Sequence, residues 1–61
     1  MFEFYQYPTG TPVAINPKYI VAVEPDGDSF THIAVVDGRS YVVREKYDVV
    51  KQHVANYLRP L

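Results

Sequence analysis

The chain has 61 residues, no cysteine and two histidines. That allows one small domain and excludes disulfide staples, cysteine-based zinc or iron–sulfur sites and a thiol nucleophile. Six basic against seven acidic residues leave a net charge of −1, which gives no global electrostatic reason to seek nucleic acid or an anionic membrane.

An apolar content of 48% with 21% charged residues excludes a disordered composition. Ten Val, three Ile and 15% aromatics stand against two Leu, a bias that favours strands. In chain order, Phe2–Tyr7 is a dense aromatic run with partial alternation and reads as a strand. Pro8-Thr9-Gly10 and Pro12 punctuate it before a second short strand over Val13–Ile15, so the two make a hairpin with Pro12 at a strand start or edge. Asn16-Pro17 opens a turn, with one turn of 3₁₀ helix over Pro17–Tyr19. A third strand covers Tyr19–Glu24, and Pro25–Ser29 is a turn by composition. A fourth strand covers Phe30–Val36. Asp37-Gly38 then predicts a two-residue type I′ turn into a fifth strand over Arg39–Val43. From Glu45 the period changes. Tyr47, Val50, Val54, Tyr57 and Leu58 share one face of a helix over Glu45–Leu58, with Glu45 and Asp48 in its first turn, Lys51 and Arg59 towards its end, and Pro60 as its stop.

Strands three and four are apolar on both sides. Phe30, Ala34 and Val36 oppose Ile33 and Val35, and Tyr19, Val21 and Val23 oppose Ile20 and Ala22. One helix can cover only one face of such a sheet, and an open antiparallel sheet usually keeps the other polar. Either the sheet curls into a small open barrel with the helix across one end, or a second copy covers the remaining face. A short chain without disulfide or metal favours a partner, a dimer first. The expected fold is therefore α+β and β-rich, a four- to five-stranded antiparallel meander or small open barrel with one C-terminal helix, in a single domain over residues 1–61.

Chemistry has little to work with. His32 on a strand and His53 on the helix could form an acid–base pair, but a lone histidine on such an element is more often structural or exposed. Neither Ser29 nor Ser40 lies in a nucleophile elbow. Asp26 and Asp28 lack the third ligand and distal Glu of a calcium loop and read as a solvated turn. No phosphate-binding glycine motif is present. No enzyme activity, metal or cofactor is expected.

Two binding readings remain. Residues 1–28 sum to −3 and residues 29–61 to +2, so Arg39, Arg44, Lys46 and Lys51 could form a modest nucleic-acid patch where the last strand meets the helix, against the plainer reading of a solvated face. Protein contact uses more of the unusual composition. Phe2, Phe4, Tyr5 and Tyr7 lie on a candidate edge strand, and Tyr and Phe are common interface anchors, although the same side chains could simply fill the core. The expectation is a small non-enzymatic protein-binding or regulatory module that self-associates through an apolar, aromatic sheet surface. Weak nucleic-acid binding over Arg39–Lys51 is the alternative. No stretch is long and apolar enough to insert in a membrane, and the first ten residues lack a leader pattern, so a cytoplasmic location is expected.

The run from Asn16 to Val54 resembles the FlbD-like family of small flagellar and swarming-motility proteins. The shared pattern is an opening hairpin, Asn16-Pro17 with Ile20 four residues on, Glu24-Pro25 before the turn, Thr31 and Ile33 on the next strand, Gly38 in the hairpin, Tyr41-Val42-Val43, and Glu45 opening a helix with Val49 and Val50. The opening Phe2–Gly10 departs from the usual start of that family. Tyr19–Leu58 also looks like the first half of a LytTR DNA-binding domain. The FlbD resemblance implies a cytoplasmic, non-enzymatic factor supporting flagellar motor output. Its matching positions are turn and core residues, so it assigns no binding residue.

Overall fold

The computed structural model describes residues 1–58. Five antiparallel strands form two open sheets, followed by one helix. Strands β1 (Phe2–Tyr5) and β2 (Pro12–Ile15) make a hairpin sheet. Strands β3 (Ile20–Asp26), β4 (Phe30–Val35) and β5 (Ser40–Val43) make the other, in that order. Helix α1 covers Tyr47–Leu58.

The first strand is shorter than its aromatic run because the chain changes partner. Phe2–Tyr5 pairs with β2, whereas Gln6 bridges to Val43 of β5. Around that bridge the Arg44 amide donates to the Tyr5 carbonyl at 2.8 Å and the Tyr7 amide to the Val42 carbonyl at 2.9 Å. The two sheets are thus stitched together along β1 and β5. Asn16 closes the following turn as its residue type suggests: its Oδ1 accepts from the Lys18 amide at 3.0 Å and its carbonyl from Tyr19 at 2.9 Å.

Strict alternation fails in β3. Ile20 lies opposite Val35 and Ala22 opposite Ala34, so Val21 is an extra residue in a bulge and is 63% exposed. The bulge shifts the face pattern. Ile20 and Val23 both pack towards the core, while Val21 does not, which corrects the grouping of Tyr19, Val21 and Val23 on one side.

The β4–β5 hairpin also differs from the type I′ expectation. Positive φ occurs at Gly38 (94°) and at no non-glycine residue. The Gly38 amide donates to the Val35 carbonyl (3.1 Å), and the Val35 amide donates to the Arg39 carbonyl (3.0 Å). This is a three-residue Val36–Gly38 loop closed by a glycine bulge. Asp37 serves it with its side chain instead of its backbone, accepting from the Arg39 amide at 3.0 Å. Since nothing crowds Gly38, Gly38→Ala is expected to cost about 1–2 kcal/mol from the left-handed backbone alone, read as a lowered urea midpoint with unchanged slope.

The helix begins at Tyr47, two residues later than its acidic start suggests. Glu45 is held in the strand frame instead: its carboxylate oxygens accept from the Tyr5 amide at 3.2 and 3.3 Å, and its carbonyl accepts from the Thr31 hydroxyl at 2.7 Å. Of the expected apolar stripe, Val50 is buried, Tyr47 and Val54 are half-buried, and Tyr57 and Leu58 are exposed. Arg59 and Pro60, expected near the helix end and as its stop, lie outside the described residues. The core is Phe4, Ile15, Ile33, Val43 and Val50, with Phe2, Val13, Ile20, Val23, Val35 and Tyr41 packed around it. It lies between the helix and the inner faces of both sheets.

Candidate functional site

The buried residues define the other face of the sheet. Thr31, Ile33 and Val43 are fully buried, so their neighbours along each strand point away from the core. On β4 these are Phe30, His32 and Ala34. On β5 they are Val42 and, just beyond the strand, Arg44. Cross-strand partners share a face: Val42 lies opposite His32, Ser40 and Ala22 lie opposite Ala34, Glu24 opposite His32 and Asp26 opposite Phe30. Tyr5 and Tyr7 flank the inward Gln6 and join the same outer face.

Aromatic rings occupy this face. The Tyr7 and Phe30 rings stack at 4.0 Å between centroids, 33° apart, across the width of β5. Tyr5 and Tyr7 stay 45% and 49% exposed. Tyr5, Arg44 and Glu45 line an open depression of about 390 Å³, and the Arg44 guanidinium runs past the Gly10 turn, where an added Cβ would lie 3.9 Å from its Nη1. Charge is segregated to the rims. Arg44 stands on the β1–β5 side, and Glu24 and Asp26 stand on β3. His32 lies between, with its Nδ1 3.9 Å from a Glu24 oxygen.

The aromatic quartet of the first strand is divided by alternation. Tyr5 and Tyr7 face outwards. Phe4 is a core residue, 2% exposed. Phe2 is half-buried and packs its ring against His53 at 5.5 Å and Tyr57 at 6.4 Å. Nor is this strand an edge, because β2 takes one side while Glu45 and β5 take the other. The open edges are those of β2 and β3, and both are blunted: β2 starts at Pro12, and β3 carries the Val21 bulge and Pro25.

The four basic residues do not converge. Arg39 sits at the hairpin, its Nε 3.1 Å from Asp37 Oδ2, about 16 Å of strand away from Arg44. Lys51 places its Nζ over the Tyr47 ring at 5.8 Å, and Glu45 and Asp48 interrupt the run. The two histidines are also separated. His32 is on the outer face, whereas His53 rests against Phe2 and Phe4 on the core side. Among the described residues, no three His, Asp or Glu side chains gather where they could hold a metal ion, and no helix is long and apolar enough to cross a membrane.

Comparison with protein-family models matches residues 7–61 to FlbD, the flagellar and swarming motility proteins. The chain belongs to the FlbD family. No curated protein and no solved structure matches it. The FlbD match begins at Tyr7, so β1 lies outside it, whereas Tyr7–Gly10, part of the opening read as departing from the usual FlbD start, lies within it. Tyr7, Phe30, Val42 and Arg44 lie within the FlbD region. Phe30, Val42 and Arg44 are members of the face that the sequence alone did not assemble, because the Tyr7–Phe30 stack joins residues far apart in the chain. The only local signal for them was the alternation around Ile33 and Val43.

Proposed function

We propose that this FlbD-family chain is a non-catalytic module of flagellar or swarming motility that works by binding protein, itself included, through the outer face of its sheet. The observation that carries this reading is the uncovered aromatic face itself. The helix covers the inner side, while Tyr5, Tyr7, Phe30 and Val42 remain on a surface flanked by Arg44. Large aromatic rings beside an arginine are the side chains that most often anchor protein interfaces. The blunted edges of β2 and β3 favour contact by side chains over strand addition. In this reading the chain acts in the cytoplasm and holds no cofactor.

A motility assay tests it. In a flagellated cell whose own copy is deleted, the Tyr7→Ala plus Arg44→Ala chain is expected to restore no more swarm expansion than an empty vector. Lys18→Ala, at an exposed position in the 3₁₀ turn between β2 and β3, is expected to restore it fully. Full complementation by the double variant, made at wild-type level with wild-type circular dichroism, would overturn the reading.

A further inference from the structure

We propose that two copies of this chain pack outer face to outer face, about a two-fold axis running parallel to the strands. The inference rests on the reading of that face as a protein-binding surface and names its occupant as a second copy. A two-fold interface must complement itself, since the same patch contributes both halves. This face does so. Its middle is mostly apolar, with Tyr7, Phe30, Val42 and Ala34 around His32, and its two sides carry opposite charge. Arg44 stands on one side, and Glu24 and Asp26 stand on the other.

The register brings those rims together at the right level. Val43 lies opposite Thr31, and Thr31 lies opposite Pro25. One step further along the same direction are Arg44 on β5, Phe30 on β4 and Asp26 on β3. A two-fold axis parallel to the strands exchanges the sides of the face and keeps each level. It therefore sets Arg44 of one copy over Asp26 of the other, with Glu24 two residues away. That axis runs over β4, midway between β5 and β3, so it also sets the Phe30 rings of the two copies against each other across a spacing of about 10 Å, the usual separation of packed sheets.

Other occupants fit less well. Nucleic acid would meet the Glu24 and Asp26 carboxylates along one rim, where phosphate is repelled. An added strand would meet Pro25 and the Val21 bulge. The face is only about four strands wide, which puts the dimer at the small, weakly associating end of specific interfaces. High micromolar concentrations are therefore needed to populate it.

Sedimentation equilibrium on the full chain provides the test. Wild type at high micromolar concentration is expected to approach twice its 7.0 kDa mass. Arg44→Glu and Asp26→Arg, each alone, place like charges against each other twice per dimer, and each is expected to weaken association about tenfold or more. An equimolar mixture of the two variants matches charges at both contacts and is expected to dimerise again, as is the Arg44→Glu/Asp26→Arg double variant. Since the mixture contains only chains already shown to be folded by circular dichroism, recovery cannot come from refolding. Wild type that stays monomeric overturns the inference, and so does a dimer that neither single variant weakens. Recovery in neither the mixture nor the double variant also overturns it. Each of those results leaves the motility assay free to succeed, so failure of the dimer and failure of the protein-binding reading are told apart. Binding of a single-stranded oligonucleotide by a wild-type monomer, lost in Arg44→Glu, would overturn both.

Discussion

Phe4→Ala is expected to leave most of the chain unfolded at room temperature, while Tyr5→Ala, one residue on, leaves it folded. The difference is a matter of side. Phe4 is 2% exposed and packs with Ile15, Ile33, Val43 and Val50, whereas Tyr5 is 45% exposed. Removing a buried phenylalanine costs about 3–5 kcal/mol, from lost transfer energy and from the cavity left behind. A domain of this length has a total stability of about 3–9 kcal/mol at the usual stability per residue. Ring contacts add to the loss, because Phe4 meets Phe2 edge-on at 6.1 Å and His53 at 6.0 Å. Urea titration by circular dichroism reads both variants. A Phe4→Ala chain with a near wild-type midpoint would show that the two sheets do not share one core.

Thr31→Val is expected to destabilise the chain by about 1–3 kcal/mol despite its nearly unchanged shape. The Thr31 hydroxyl is fully buried and donates to the Glu45 carbonyl at 2.7 Å. Valine removes the donor and leaves that carbonyl without it, and an unsatisfied polar group costs more than the hydrogen bond itself contributed. The position matters because Glu45 is a junction. Its carboxylate accepts from the Tyr5 amide, and Lys46, the next residue, has a carbonyl that accepts from Val49 and Val50 at the start of the helix. Losing the Thr31 contact therefore loosens β1 and α1 together. Thr31→Ser, which keeps the donor, is expected to retain more of the stability than Thr31→Val. The comparison of the two urea midpoints checks it, and a serine variant as weak as the valine variant would assign the effect to the lost methyl group.

Much of the fold is legible residue by residue. Asn16-Pro17, the proline and glycine punctuation, and the change of period after Val43 place all five strands and the helix within a few residues. These signals are local, each resting on what one side chain does to its own backbone. Where the reading slipped, the deciding interaction was distant. Glu45 looks like the first acidic residue of a helix, but the Tyr5 amide and the Thr31 hydroxyl keep it in the strand frame. Asp37-Gly38 looks like a two-residue turn, but the Val35 amide donates to the Arg39 carbonyl and leaves the three residues Val36–Gly38 in the loop. Val21 looks like one more alternating residue, yet it bulges so that both Ile20 and Val23 can reach the core.

The candidate site follows the same division. The sequence by itself determined that this short, cysteine-free chain carries apolar side chains on both sides of its strands and more aromatics than a core of its size needs, because composition and period are properties of the chain alone. It also carried the FlbD pattern from Asn16 onwards. Only the tertiary structure decided that Phe4 belongs to the core and Tyr7 to the surface, and that Arg44 and Asp26 stand at one level on opposite rims. The physical reason is that a strand's period assigns residues to two faces without saying which is buried. That choice is made where β1 leaves β2 and joins β5, and where the single helix lies down on one side of the sheet.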